Sequence, residues 1–273
     1  MRDDPRRKSL EDLFEEPGKT VLTAHRGWSG QYPENTLNAF EKAVEAGVDI
    51  VEFDVRETAD GEFVVIHDPT LERTTNGAGP VSQKRLSELK RLNASFWVGP
   101  HDTGYRATAP LNDETIPTLE EAFYCLSGTV CMNVQVYVNK PASLEKIVRM
   151  YDQHDLYGFA FLHLESFAAA DHVRHLNPGV AICVSEERDN LNRHLLFGVD
   201  FVQPRVHHLT STYVEKLKSV RLKANIFYAN TREDTEKLLD QGIRGIITDC
   251  PDVVSDTIRA HILSRTLPVE TET

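Results

Sequence analysis

Cysteine is scarce in this 273-residue chain, and its four copies, Cys125, Cys131, Cys183 and Cys250, form no CxxC pair and no Cys/His grouping at zinc-ligand spacing. A zinc module and a disulfide framework are thereby excluded, and reduced core thiols are expected. Long apolar runs are also missing: no segment approaches the roughly 18 residues that a membrane span requires. The opening stretch, MRDDPRRKSLEDLFEE, is charged throughout and lacks the apolar core of a secretory leader. With Met1 as the natural start, a soluble cytoplasmic protein is expected. No basic stripe is present either. The formal net charge is −12, and Lys and Arg are interspersed with Asp and Glu from Lys84 to Lys90 and from Arg232 to Lys237, as on solvated helix faces. Such a chain repels nucleic acid and anionic membrane surfaces, which leaves a small molecule as the expected partner. Oligomeric state is not encoded in these features.

Hydrophobic residues make up 40% of the sequence, enough for one sizeable core. Eight short, β-branched runs recur: VLTAHRG from Val21, DIVEFDV from Asp49, VCMNVQVYV from Val130, FAFLHLE from Phe159, VAICVS from Val180, DFVQPRV from Asp200, ANIFYAN from Ala224 and GIITDCP from Gly245. Amphipathic helical stretches separate most of them, such as TLNAFEKAVEAG, with Leu37, Phe40 and Val44 on one side and Gly47 as its stop. That alternation specifies a parallel sheet, and eight units predict a TIM (β/α)8 barrel with its reactive groups at the C-terminal strand ends. A ninth run, FVVIHD from Phe63, follows the second strand across Ala59-Asp60-Gly61. So short a turn predicts an antiparallel β-hairpin excursion that folds His67 back over the rim. The aperiodic stretch from Phe96 to Glu114 is long for a barrel loop and is the candidate lid or specificity segment. A charged N-terminal arm over 1–18, a barrel domain over 19–265 and a tail over 266–273 complete the expected organisation.

Glu52 and Asp54 stand two apart on one strand, so their carboxylates point the same way. At a barrel mouth they would repel each other, and a hard divalent cation would relieve the repulsion; taken alone, the pair reads first as a solvated strand end. His25 offers proton transfer, Arg26 a fork for phosphate oxygens, and Gly27 a tight turn beside them. His67 would arrive over the carboxylate pair, with Asp68 orienting it or capping the next turn. Glu34 is placed to pair with Arg26 or accept amide protons at a helix start, where Asn35 is expected as a cap.

Together these pieces resemble the glycerophosphodiester phosphodiesterase family. The matching text is AHRG at 24–27, PENTLNAF at 33–40, GVDIVEFDVRETADGEFVVIHDPTLERTTNGAG at 47–79, IPTLEEAF at 116–123, ESF at 165–167 and GIRGIITDCP at 242–251. The resemblance implies a TIM barrel that hydrolyses glycerophosphodiesters to glycerol 3-phosphate and an alcohol with a divalent cation, Mg²⁺ or Ca²⁺. It implies His25 and His67 as the acid–base pair, Arg26 on phosphate, Glu34 in support, and Glu52 and Asp54 as metal ligands. The family pattern close to N-V-E-x-K is departed from here, where Asn133-Val134-Gln135-Val136-Tyr137 lacks both charges. Gln135 retains a carbonyl oxygen for the third ligand position without the charge of a carboxylate, so weaker metal binding is expected. The joint loss of Glu and Lys reads as a rebuilt pocket. Phe227-Tyr228 replaces the family's W-T, leaving Tyr137 and Phe227 as candidate pocket walls. His163 and Glu165 are alternative replacement ligands, and His207 and His208 are expected at the rim. Two further readings remain open on the same scaffold: altered chemistry of a lysophospholipase D-like or lyase-like kind, or a catalytically silent anion-binding barrel.

Overall fold

Period-two alternation decides which side chains enter the barrel. A computed structural model describes residues 8–220 and 222–266. Its strands are β1 (Val21–His25), β2 (Ile50–Glu57), β3 (Phe63–Val65), β4 (Trp97–Val98), β5 (Tyr105–Arg106), β6 (Cys131–Val136), β7 (Ala160–Leu164), β8 (Ala181–Val184), β9 (Phe201–Val202), β10 (Lys223–Ala224), β11 (Ile226–Phe227) and β12 (Gly245–Thr248). The parallel order β10-β9-β8-β7-β6-β2-β1-β12-β11 wraps around until its ends meet, because β10 and β11 are halves of one stave interrupted at Asn225. A parallel bridge from Arg205 to Phe227 and the Phe227 amide donating to the Pro204 carbonyl (3.0 Å) close the ring. All eight runs of the sequence reading are staves of this TIM barrel. β3 pairs antiparallel with β2, Val65 opposite Val55, so the expected excursion is present.

The outward residues of β1 and β2, Leu22, Ala24, Val51, Phe53 and Val55, pack under the surrounding helices. The inward set forms layers. The lowest layer is apolar, with Val21, Ile50, Cys131, Phe161, Cys183 and Phe201. Above it the interior turns polar: Asn225 Nδ2 donates to Thr23 Oγ1 (2.7 Å) and Asn133 Nδ2 to Gln203 Oε1 (2.8 Å). Glu52, Asp54, His25 and Gln135 complete the climb toward the mouth.

Helix α1 (Leu10–Glu15) is set by a capping box, in which Ser9 Oγ accepts from the Asp12 amide and the Asp12 carboxylate accepts from the Ser9 amide. Its charged residues conceal an apolar side at i, i+3 and i+4. Leu10, Leu13 and Phe14 stopper the N-terminal mouth, Phe14 edge-on to Phe201. Residues 1–7 of the expected arm and 267–273 of the expected tail lie outside the described residues. Cys131 and Cys183 are buried and Cys125 and Cys250 half-buried, and none of the four is joined in a disulfide. No helix among the described residues is long and apolar enough to cross a membrane.

Candidate active site

At the end of β1 the chain reverses through Arg26 and Gly27, both with left-handed backbone (φ 55° and 77°). A side chain at Gly27 would meet the Ala39 carbonyl carbon at 2.7 Å, so this turn, packed on the helix α2 (Leu37–Glu45), requires glycine. The turn leaves His25 facing inward and sends the Arg26 amide to Glu52 Oε2 (2.9 Å).

Two histidines occupy the mouth, each held through Nδ1 by a carboxylate. His25 Nδ1 lies 2.6 Å from Asp249 Oδ1, and His67 Nδ1 lies 2.7 Å from Asp68 Oδ1. Burial raises the proton affinity of Asp249, but His25 and hydrogen bonds from His25, Asn230 and Ser29 outweigh it and hold the carboxyl well below its ordinary range. Asp68 is likewise held low, because hydrogen bonds from His67 and Arg73 overcome its burial. Both carboxylates therefore accept, both Nδ1 atoms donate, and Nε2 of each ring makes no hydrogen bond to a described residue, that of His25 facing Glu52 Oε2 at 4.0 Å. His67 reaches this position because the Arg56 side chain donates to its carbonyl (2.6 Å) and the Ile66 amide to the Asp54 carbonyl (3.0 Å).

Glu52 and Asp54 are both buried beneath the histidines, with Glu52 opposite His25 and Asn133, and Asp54 opposite Gln135, in the sheet register. Burial first, and then repulsion from Asp54, pushes the Glu52 carboxyl well above its ordinary range despite Arg26. Asp54 goes the other way: burial is outweighed by the Arg26 charge and by the Asn35 side chain, which donates to it at 2.8 Å. Asn35 does not cap the helix as expected; Thr36 does, accepting from the Ala39 amide, while left-handed Asn35 (φ 58°) clasps Asp54 instead. Arg26 Nη1 donates to Glu34 (2.8 Å), its Nε faces Asp54 (3.1 Å), and Arg73 grips Glu34 from the far side at 2.6 and 2.7 Å. Burial opposes ionisation of Glu34, yet Arg26 and the Arg73 hydrogen bonds bring its pKa down to about 2.

Residues 25–253 match the model of the Glycerophosphoryl diester phosphodiesterase family. The chain belongs to that family. It is 30% identical to a glycerophosphodiester phosphodiesterase of Caldanaerobacter subterraneus subsp. tengcongensis over 88% of this chain and 98% of that one. A Bacillus subtilis glycerophosphodiester phosphodiesterase is 26% identical over 87% and 86% of the two chains. Among solved structures, an Oleispira antarctica phosphodiesterase in complex with the product sn-glycerol-3-phosphate superposes with a TM-score of 0.73 at 27% identity, covering 88% of this chain and 96% of that one. As a family member, the chain is a phosphoric diester hydrolase.

These groups open into a cavity of about 570 Å³ that brings together His25, Arg26, Glu52, Asp54, His67, Gln135, Tyr137 and Phe227. Glu34 stands behind Arg26, outside that lining. Hydrogen bonds from described residues engage Glu52 Oε2 and Asp54 Oδ2, which leaves the other oxygen of each carboxylate without a donor. Two buried, mutually repelling carboxylates with spare oxygens suit a hard cation. Among the described residues, however, no three His, Cys, Asp or Glu side chains stand together at ligand spacing. Gln135 Nε2 points to Ser185 Oγ (3.3 Å). The alternative ligands lie elsewhere: His163 is buried against Ser185 Oγ (3.0 Å), and Glu165 accepts from Asn139 (2.6 Å). Of the rim pair, His207 reaches the cavity lining.

Lining or supporting residues not expected from the sequence include Asp249, His101, Arg73 and Arg188. Asp249 carries the signal of an acid just past the last strand. His101 sits at the tip of the β4–β5 hairpin, inside the aperiodic segment expected to be a lid, and carries no periodic signal. Its amide donates to Asp249 Oδ2 (3.2 Å), and its Nδ1 accepts from Arg26 Nη1 (2.9 Å). Burial and the Arg26 charge lower the His101 pKa to about 4, so it is neutral at pH 7. Its neighbour Asp102 accepts from Tyr228 across the mouth.

Proposed function

We propose that the chain hydrolyses glycerophosphodiesters to glycerol 3-phosphate and an alcohol, with His25 and His67 as the acid–base pair. The observation that carries this reading is the pair of Nδ1-anchored histidines above Glu52 and Asp54, with Arg26 in the same cavity. A phosphodiester anion repels nucleophiles, so its oxygens must be neutralised before attack. Arg26 Nη2 has no partner among the described residues and is the nitrogen available to a phosphoryl oxygen. One free Nε2 takes the proton of the attacking hydroxyl while the other delivers a proton to the leaving alkoxide. Asp249 and Asp68 fix the tautomers and stabilise whichever ring becomes charged. Glu52 and Asp54, with the Gln135 amide oxygen, would hold Mg²⁺ or Ca²⁺, which when bound adds positive charge beside the phosphoryl oxygens. The family membership and the product complex of the Oleispira relative support the substrate class.

The test is release of glycerol 3-phosphate from a panel of glycerophosphodiesters with Mg²⁺, Ca²⁺ or chelator. Turnover lost in chelator, and reduced at least ~10²-fold in both His25→Ala and His67→Ala, is expected. Failure of every diester with every cation would sink the reading.

A further inference from the structure

The cavity is not electrically uniform. The histidines and carboxylates line its β1–β2 side, whereas Arg188, Arg205 and His207 line the side beyond β8 and β9. Arg188 is half-buried, its guanidinium donates to Ser185 Oγ (2.7 Å), and the same hydroxyl accepts from Gln135 Nε2. Neither Arg188 nor Arg205 makes an ion pair with a described residue. In a chain with net charge −12, an unpaired, partly desolvated guanidinium on a cavity wall is a costly arrangement unless an anion completes it. Burial lowers the pKa of Arg188, opposed by Cys183 and reinforced by the neighbouring Arg205 charge.

Apart from Glu52 and Asp54, the cavity acids are already engaged. Asp102 accepts from Tyr228, and Asp234 accepts from Thr231 beside Lys237. For a cationic headgroup the aromatic faces are largely taken, since Arg56 covers Tyr137 at 4.2 Å, Phe227 packs edge-on to His25, and Tyr228 stacks toward His25 and packs edge-on to Phe227.

We infer that Arg188, seconded by Arg205 at the rim, is an oxyanion subsite, and that the alcohol half of the diester carries a second anionic group. This rests on the hydrolysis proposed above, because the glycerol half is uncharged and only the alcohol half can bring that charge. Gln135 fits the same arrangement, because a carboxylate at that position would set a negative charge beside the serine that Arg188 also bonds.

The test compares kcat/KM for glycerophosphoinositol 4-phosphate, glycerophosphoglycerol and glycerophosphocholine. The expected order is anionic, then uncharged, then cationic headgroup. In Arg188→Met the ratio of the first to the second should fall about tenfold or more, the size of one lost charge-assisted hydrogen bond, with partial recovery in Arg188→Lys. A wild-type enzyme without that preference, or an unchanged ratio in the variant, overturns the subsite. If no diester is cleaved, hydrolysis itself has failed, and calorimetric binding of glycerophosphoinositol 4-phosphate decides the subsite separately. About tenfold weaker binding in Arg188→Met supports it, and no binding or unaltered binding refutes it.

Discussion

Asp249→Asn isolates the carboxylate behind His25. Oδ1 of Asp249 accepts from His25 Nδ1 (2.6 Å) and Ser29 Oγ (2.9 Å), while Oδ2 accepts from Asn230 Nδ2 (2.8 Å) and the His101 amide (3.2 Å). An asparagine has the same shape but only one accepting oxygen. With its NH₂ in the place of Oδ1, it confronts two donors, and His25 can accommodate it only by moving its proton to Nε2. That tautomer cannot take a proton from the cavity. With the NH₂ in the place of Oδ2, it confronts Asn230 and the His101 amide and unties the hairpin tip. The equivalent exchange in a serine-protease triad costs about 10⁴ in kcat, and a loss of about 10³–10⁴, or roughly 4–5.5 kcal/mol of barrier, is expected here. The assay is initial-rate release of glycerol 3-phosphate by Asp249→Asn, His25→Ala and the double variant. Because the aspartate acts through the histidine, the double variant should be no slower than His25→Ala alone. A single variant within tenfold of wild type, or losses that multiply in the double variant, would refute the reasoning.

Glu34→Gln leaves the Arg26 and Arg73 guanidiniums facing an uncharged amide in a buried setting, and should cost about 3–5 kcal/mol in urea unfolding at pH 7. The Glu34 carboxyl titrates at about 2 in the fold against an ordinary 4.5, so its contribution is complete above 4.5 and fades as pH falls toward 2; an equal cost at pH 7 and near pH 3 would contradict this. Gln135→Glu adds a third carboxylate beside Glu52 and Asp54, so calorimetric Mg²⁺ or Ca²⁺ affinity should rise about tenfold or more, and unchanged affinity would place position 135 outside the ligand set. Leu13→Ala empties part of the stopper at the far end of the barrel and should cost about 2–5 kcal/mol with kcat unaltered; a loss of turnover at full stability would mean that the two mouths are coupled.

The barrel was legible because each stave is a short β-branched run bounded by an amphipathic helix, and because inward and outward residues alternate strictly. That alternation also places Glu52 and Asp54 inside without any structural information, and the three-residue turn at Ala59–Gly61 suffices to return His67 to the rim. Asn35 was misread because a polar residue before a helix has two uses, and only its left-handed backbone shows that Thr36 takes the cap. The apolar side of α1 was hidden by its charged neighbours, although Leu10, Leu13 and Phe14 hold helical spacing. His101 and Arg188 were not legible, since each belongs to a loop whose path is set by tertiary contacts far away in sequence. The family resemblance, drawn from dense motifs between His25 and Gly79, is upheld by the match over residues 25–253.

The His25–Asp249 pair joins the first strand to the segment just after the last, with β1 and β12 zipped in parallel from Val21–Gly245 to Ala24–Thr248. Its two halves lie 224 residues apart, so no half-barrel, and no nascent chain that stops short of the last strand, can contain the finished dyad. Regained turnover during refolding is therefore a signal that the ring has shut, and it must lag behind probes that follow helix formation or chain collapse. The proposed reaction centre doubles as the clasp of its own scaffold.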